Sequence, residues 1–232
     1  MLYKLLTVIS ALLFIPIFIL SIIILIIISI IYLPWFYKLD KLFCRAIMST
    51  FFIWPKISGN FPKTGTYIIM MNHTSFLDVF LFPLITNGPY TGITAKNNFK
   101  IPLFSTLLRR IKAIPIDRQN RQAAINSIKI AENVLNQGVH IGILPEGTRT
   151  ISGLMGPLKK GGFHMAINTN TSIVPVGIIG AFKFKPKNRW WIHPCHITIN
   201  IGEVIDLPKE NNDINSVMMI VEKKLKELSS EK

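Results

Sequence analysis

The stretch Tyr67-Ile68-Ile69-Met70-Met71-Asn72-His73-Thr74-Ser75-Phe76-Leu77-Asp78 sets the reading of the whole chain. Its first five residues are apolar, as in a strand buried on both faces. His73 then stands just past the strand end, with a carboxylate five residues on. An imidazole is a good proton acceptor near neutral pH, and a carboxylate can hold it in one tautomer. The pair suits an enzyme that activates a hydroxyl. A second reading is purely local. Ser75-Phe76-Leu77-Asp78 fits a capping box, with Ser75 at the N-cap and Asp78 at N3. The two are compatible, because a helix begun at Ser75 holds both side chains near its N-terminus.

On the N-terminal side the chain changes character. No charged residue lies between Lys4 and Lys38, and Leu5 to Leu33 is almost wholly Leu, Ile, Phe and Val. About 20 apolar residues suffice to cross a bilayer core. A signal peptide has a shorter apolar core and a small-residue cleavage site, and neither pattern is found here. Pro16 is placed to kink the helix and Pro34 to end it. Trp35, Phe36 and Tyr37 suit an interfacial aromatic belt. The segment therefore reads as a membrane anchor, either spanning or re-entering one leaflet. Lys38, Lys41 and Arg45 follow it, which by the positive-inside rule puts the rest of the chain in the cytoplasm. Cys44 and Cys195 are too few for a disulfide framework and agree with reducing conditions.

On the C-terminal side strands and helices alternate. Thr66–Met71, Tyr90–Ala95, Val139–Leu144, Ile173–Ile179 and His196–Gly202 read as strands, with Ile197, Ile199 and Ile201 on one face of the last. Ser75 to about Leu84 and Gln119–Gln137 read as helices, the second stopped by Gly138. Asp213 can cap a final helix whose stripe includes Ile214, Val217, Val221 and Leu225. The expectation is α/β: residues 56–232 as a single domain with a mostly parallel sheet flanked by helices, preceded by a membrane-anchoring helical segment over residues 1–55.

The net charge is +14. From Val79 to Asn200 fifteen Lys and Arg face three acids, Asp117, Glu132 and Glu146. Such a surface attracts anionic headgroups, phosphate-bearing substrates or nucleic acid. Phe182-Lys183-Phe184-Lys185-Pro186-Lys187-Asn188-Arg189-Trp190-Trp191 alternates bases and aromatics. Beside a membrane anchor that run reads as resting at the lipid interface, with a solvated hairpin as the plainer reading; nucleic acid is not expected.

Three further short blocks carry polar chemistry. Leu144-Pro145-Glu146-Gly147-Thr148-Arg149-Thr150 follows a strand, where open α/β sheets bind ligands. Arg149 offers a planar fork for phosphate, Thr148 a hydroxyl and Gly147 close backbone approach. Read alone it is also an ordinary turn. Ile114-Pro115-Ile116-Asp117-Arg118 ends in an arginine, although Asp117 can simply pair with Arg118 or Arg121. Ile173-Val174-Pro175-Val176 in isolation reads as a strand with a proline at the sheet edge. His193-Pro194-Cys195-His196 has no established zinc spacing and reads as a strand entry. His140 and His164 have no evident partners and read as structural.

Taken together and in this order, the blocks Asn72–Asp78, Ala113–Arg118, Leu144–Thr150 and Val174–Val176 resemble the glycerolipid acyltransferase family, most closely its bacterial-type 1-acyl-sn-glycerol-3-phosphate acyltransferases. That family carries N-H-x-x-x-x-D, G-x-x-x-x-x-R, F-P-E-G-T-R-S and V-P-V blocks. Leu158-Lys159-Lys160-Gly161-Gly162-Phe163 is similar to its lysine-glycine-phenylalanine stretch. Ala113, Leu144 and Thr150 replace the family's glycine, phenylalanine and serine, and Pro115 interrupts the second block. The resemblance implies acyl transfer from a thioester to lysophosphatidic acid, giving phosphatidic acid. His73 would take the hydroxyl proton and Asp78 would orient the imidazole. Arg118, Thr148 and Arg149 would bind the phosphate. Glu146 would bond the glycerol or brace its loop, and backbone N–H groups near Gly147 could face the oxyanion. Lys96 and Lys100 are secondary phosphate contacts or solvated lysines. No metal or cofactor is implied beyond an acyl-CoA or acyl carrier protein thioester as co-substrate. Membrane lipids are the expected partners, and a bacterial inner membrane with the catalytic domain on its cytoplasmic side is the expected location. Competing readings are an acyltransferase for glycerol 3-phosphate or another lysophospholipid, a serine hydrolase using Ser75, and a non-catalytic basic membrane-binding protein. No Gly-x-Ser-x-Gly elbow supports the hydrolase.

Overall fold

The computed structural model describes residues 1–117, 121–207 and 213–230. Ile68 and Met70 of one strand join one buried cluster, and its Ile69 and Met71 join another. All four are buried, as expected of a strand covered on both faces. This strand, β2 (Ile68–Met71), is preceded by helices α1 (Leu2–Ile31) and α2 (Leu33–Ser49) and strand β1 (Lys56–Ser58). There follow α3 (Asp78–Ile85), β3 (Tyr90–Ala95), α4 (Phe104–Arg110), β4 (Ile114–Ile116), α5 (Arg121–Asn136) and β5 (His140–Ile143). The chain closes with α6 (Gly161–Thr169), β6 (Ile173–Ile179), α7 (Ala181–Phe184), β7 (Thr198–Ile201) and α8 (Ile214–Ser229).

Among the described residues seven strands form one sheet in the order β1-β7-β6-β2-β5-β3-β4. Neighbours run parallel except β6 and β7. Residues of α1, α2 and α3 cover one face, among them Leu25, Phe36, Met48 and Leu81. The other face is covered by α5, α6 and α8, through Val134, Phe163, Val221 and Leu225 among others. The expected α/β layering holds. Asp213 caps α8, accepting from the Asn215 and Ser216 amides.

Several expectations change in detail. The helix after His73 begins at Asp78 rather than Ser75. The Asp78 carboxylate reaches back to the Thr74 and Ser75 amides, which holds residues 74–77 in a turn instead. Pro34 does not end the apolar helix. Extended Tyr32 breaks it, and Pro34 sits in the first turn of α2, where its missing N–H costs nothing. Nor does Pro175 lie in an edge strand, because β6 runs between β2 and β7. Alternation puts the Pro175 nitrogen on the β7 side, as for Ile173, which bonds to Ile205 there. The Pro175 carbonyl still accepts from the Gly202 amide there at 2.9 Å, so only the reciprocal bond of that pair is absent.

The N-terminal helix runs along the domain instead of leaving it. Near its start the Thr7 hydroxyl accepts from the Ile192 amide at 2.9 Å, and Tyr3 meets His193. In its middle Phe14 packs on Phe51, and Phe18 on Phe80 and Phe104. At its end Arg110 donates to the Ser29 hydroxyl and carbonyl. The opposite stripe, including Leu5, Leu12, Ile15, Ile19, Ile27 and Ile30, is exposed.

Candidate active site

Parallel strands share a C-terminal edge, and the loops after β2, β5 and β6 meet there. Asn72 fixes where β2 releases the chain. Its side chain donates to the Ile178 carbonyl at 3.0 Å and accepts from the Ile178 amide at 2.7 Å. A side chain thus continues the β2–β6 ladder for one more step. The loop after β5 holds the next residue. The Glu146 carboxylate accepts from the His73 amide at 2.6 Å and from the Gly156 amide at 2.7 Å. The Thr150 amide donates to the His73 carbonyl at 2.9 Å. His73 is therefore held through its own backbone before its ring is considered.

The ring is held by Asp78. His73 Nδ1 lies 2.8 Å from Asp78 Oδ2. That oxygen also accepts from the Thr74 amide at 2.8 Å and the Ser75 amide at 3.1 Å. The Asp78 side chain is 1% exposed and that of His73 19%. A carboxylate only accepts, so the network assigns the Nδ1 proton to the shared bond and leaves the Nε2 lone pair free. One oxygen atom thus both holds the ring and satisfies two backbone amides, although the helix starts at Asp78 and Ser75 is not its N-cap.

The other expected site residues divide into three groups. Glu146 meets a backbone amide with each oxygen, so it braces two loops. Burial pushes its pKa up, and the two amide bonds pull it back in part. Gly147 adopts a left-handed backbone, φ +73°, that only glycine takes without strain. Its amide closes the turn onto Leu144 at 2.9 Å. Arg149 is half-buried and Thr148 exposed beside it. Lys96 and Lys100 lie beyond the end of β3 and are exposed, Lys96 reaching to 3.7 Å from Asp117. Arg118 lies outside the described residues.

Sequence reasoning gave Asn72 no role and placed Lys185 at the lipid interface. The structure brings Lys185 to this edge, its carbonyl accepting from the Ser75 hydroxyl at 3.2 Å. That bond also commits the hydroxyl a serine hydrolase would need. His140, expected to lack partners, accepts from the Tyr67 amide through Nδ1 and donates to the Asn87 carbonyl through Nε2.

Residues 55–179 match the Acyltransferase family model. A 1-acyl-sn-glycerol-3-phosphate acyltransferase of Borreliella burgdorferi is 32% identical over 69% of this chain and 66% of its own length. One of Cocos nucifera is 37% identical over 62% of this chain and 47% of its own length. The matched part thus spans about half to two-thirds of these relatives. The crystal structure of the 1-acyl-sn-glycerophosphate acyltransferase PlsC from Thermotoga maritima superposes with a TM-score of 0.83, at 24% identity, over 97% of this chain and 95% of that one. The fold is shared, and the family match spans both the histidine–aspartate loop and the loop that braces it: the chain belongs to the Acyltransferase family.

Proposed function

We propose that the protein transfers a fatty acyl group from a thioester to the sn-2 hydroxyl of 1-acyl-sn-glycerol 3-phosphate, giving phosphatidic acid. The observation that carries this reading is the free Nε2 of an imidazole fixed by buried Asp78, on an edge shared with Arg149. His73 Nε2 takes the acceptor's hydroxyl proton as the oxygen attacks the thioester carbonyl. The tetrahedral intermediate collapses with cleavage of the C–S bond. The imidazolium returns its proton to the departing thiolate. Asp78 stabilises the imidazolium without taking its proton. Arg149, with Thr148 and Arg118, binds the acceptor's phosphate. Lys96 and Lys100 add longer-range attraction. Acyl transfer from a thioester calls for no resident cofactor, and coenzyme A or acyl carrier protein brings the acyl group as co-substrate.

The same reading places α1 in the surface of a bacterial inner membrane, with the sheet domain on the cytoplasmic side. In support, contacts to the domain run from Tyr3 to Ser29, while the other stripe is apolar and exposed. Lys4 stands over the Trp190 and Trp191 rings, the kind of pairing that suits a headgroup layer.

Detergent-purified protein tests the reading directly. Acyl-CoA and acyl carrier protein donors are each crossed with lysophosphatidate, glycerol 3-phosphate, a lysophospholipid with a larger headgroup and monoacylglycerol. Lysophosphatidate is the expected preferred acceptor. Equal turnover of monoacylglycerol would remove the phosphate from recognition, and preference for glycerol 3-phosphate would reassign the acceptor.

A further inference from the structure

The run Phe182–Trp191 does not act as one surface. Arg189 turns inward, its guanidinium donating to the Lys183, Phe184 and Trp191 carbonyls. Lys183 and Lys187 are exposed. Lys185 is half-buried, and Ser75 pins its backbone to the loop that carries His73 and Asp78. On the other side of that loop, the Thr150 amide ties the residue after Arg149 to the His73 carbonyl. Two cationic side chains thus come from loops fastened to the two flanks of one histidine.

Among the described residues no ion pair involves Lys185 or Arg149. The Lys185 ammonium donates to the Pro186 carbonyl at 3.2 Å. Its pKa is lowered, first by burial and then by repulsion from Arg149 and Arg189. Repulsion from both arginines is what an incoming anion would relieve, and Arg189 already donates to three carbonyls. A phosphate monoester carries about −1.5 to −2 charge at pH 7, more than one arginine balances.

We propose that Lys185 is a second cation on the acceptor's phosphate, acting with Arg149 from the opposite flank of the His73 loop. This rests on the acyl-transfer reading above. Arg149 supplies the planar fork and Lys185 the compact charge. Binding the headgroup between them places the neighbouring hydroxyl against His73, so the two cations both hold and aim the acceptor.

The test compares the full-length wild type with Lys185→Met and Lys185→Arg in mixed micelles. The KM for lysophosphatidate should rise about tenfold in Lys185→Met, as for loss of a charge-assisted bond. The inhibition constant of inorganic phosphate should rise with it. The donor KM should stay put, and Lys185→Arg should recover most of the loss. Lys185→Gln, a polar side chain without the charge, repeats the test if Lys185→Met does not purify folded. A fall in kcat with both KM values unchanged would make Lys185 merely structural and overturn the proposal. A rise in donor KM alone would assign the pair to the donor's phosphates and overturn it too. Absence of wild-type turnover on lysophosphatidate with either donor sinks the acyl-transfer reading itself, whatever Lys185 does.

Discussion

Asp78 Oδ2 serves three donors at once: one imidazole and two backbone amides. One atom therefore sets both the turn and the tautomer. Asp78→Asn separates the two. An amide can turn its NH₂ toward Nδ1, which moves the ring proton to Nε2 and removes the base. The expected loss is about a hundred- to ten-thousand-fold in kcat, the range for a general base. Leaving amides unpaired in a buried turn costs about 1–3 kcal/mol as well. Stopped assays beside thermal unfolding read both, and near-normal kcat in a folded variant would contradict the tautomer argument. The pair was legible because five residues separate its members, a distance that local turns decide. The joining of the Arg149 and Lys185 loops to one histidine loop was not legible. It depends on β5 and β6 both lying beside β2, which no pattern within either segment specifies.

Loops rather than strands hold the site together, and Glu146 is the clamp between two of them. Glu146→Gln sets an NH₂ against one of two backbone N–H groups, leaving that group unpaired in a buried setting. It should lower kcat about tenfold or more through His73 while changing the acceptor KM little. A raised KM at normal kcat would instead put the carboxyl on the substrate. The sequence left both roles open for Glu146, since neither depends on local pattern. At the opposite edge of the sheet His140 joins the start of β5 to the turns before β2 and β3. Burial pushes its pKa down, and the bond to Asn87 opposes that in part. The unfolded chain then binds the proton more readily than the folded one. Its contribution to stability is full above the ordinary histidine pKa, about 6.5, and declines as the pH falls below it. The unfolding midpoint should fall more steeply between pH 7 and 5 in wild type than in His140→Gln. Parallel slopes would contradict this. Five of the seven described strands, and helices α3, α5 and α8, were readable from apolar pattern, while the short elements β1, β4, α4, α6 and α7 were not. Nor was the start of α3, because the Asp78–Ser75 amide bond serves equally a helix begun at Ser75 and the turn that delays it to Asp78.

At the scale of the molecule, the apolar N-terminus was legible as lipid-seeking but not in its placement. Composition cannot show that Phe14 and Phe18 find aromatic partners in the domain while Leu12 and Ile19 do not. A 30-residue helix is about 45 Å long, and this one is engaged by the domain near both ends. Its exposed stripe should be what meets lipid. Leu12→Lys with Ile19→Lys should weaken flotation with anionic vesicles while leaving the thermal midpoint nearly unchanged. Undiminished flotation would move the contact elsewhere. The fold presents an imidazole lone pair at a sheet edge shared with Arg149 and Lys185, and the central claim is that this nitrogen takes the acceptor's proton. The most direct measurement is the acyl-transfer rate of purified His73→Ala against wild type, with lysophosphatidate and a thioester donor saturating. A loss of about a hundred- to ten-thousand-fold in a folded, lipid-bound variant is predicted. Turnover close to wild type would contradict the account.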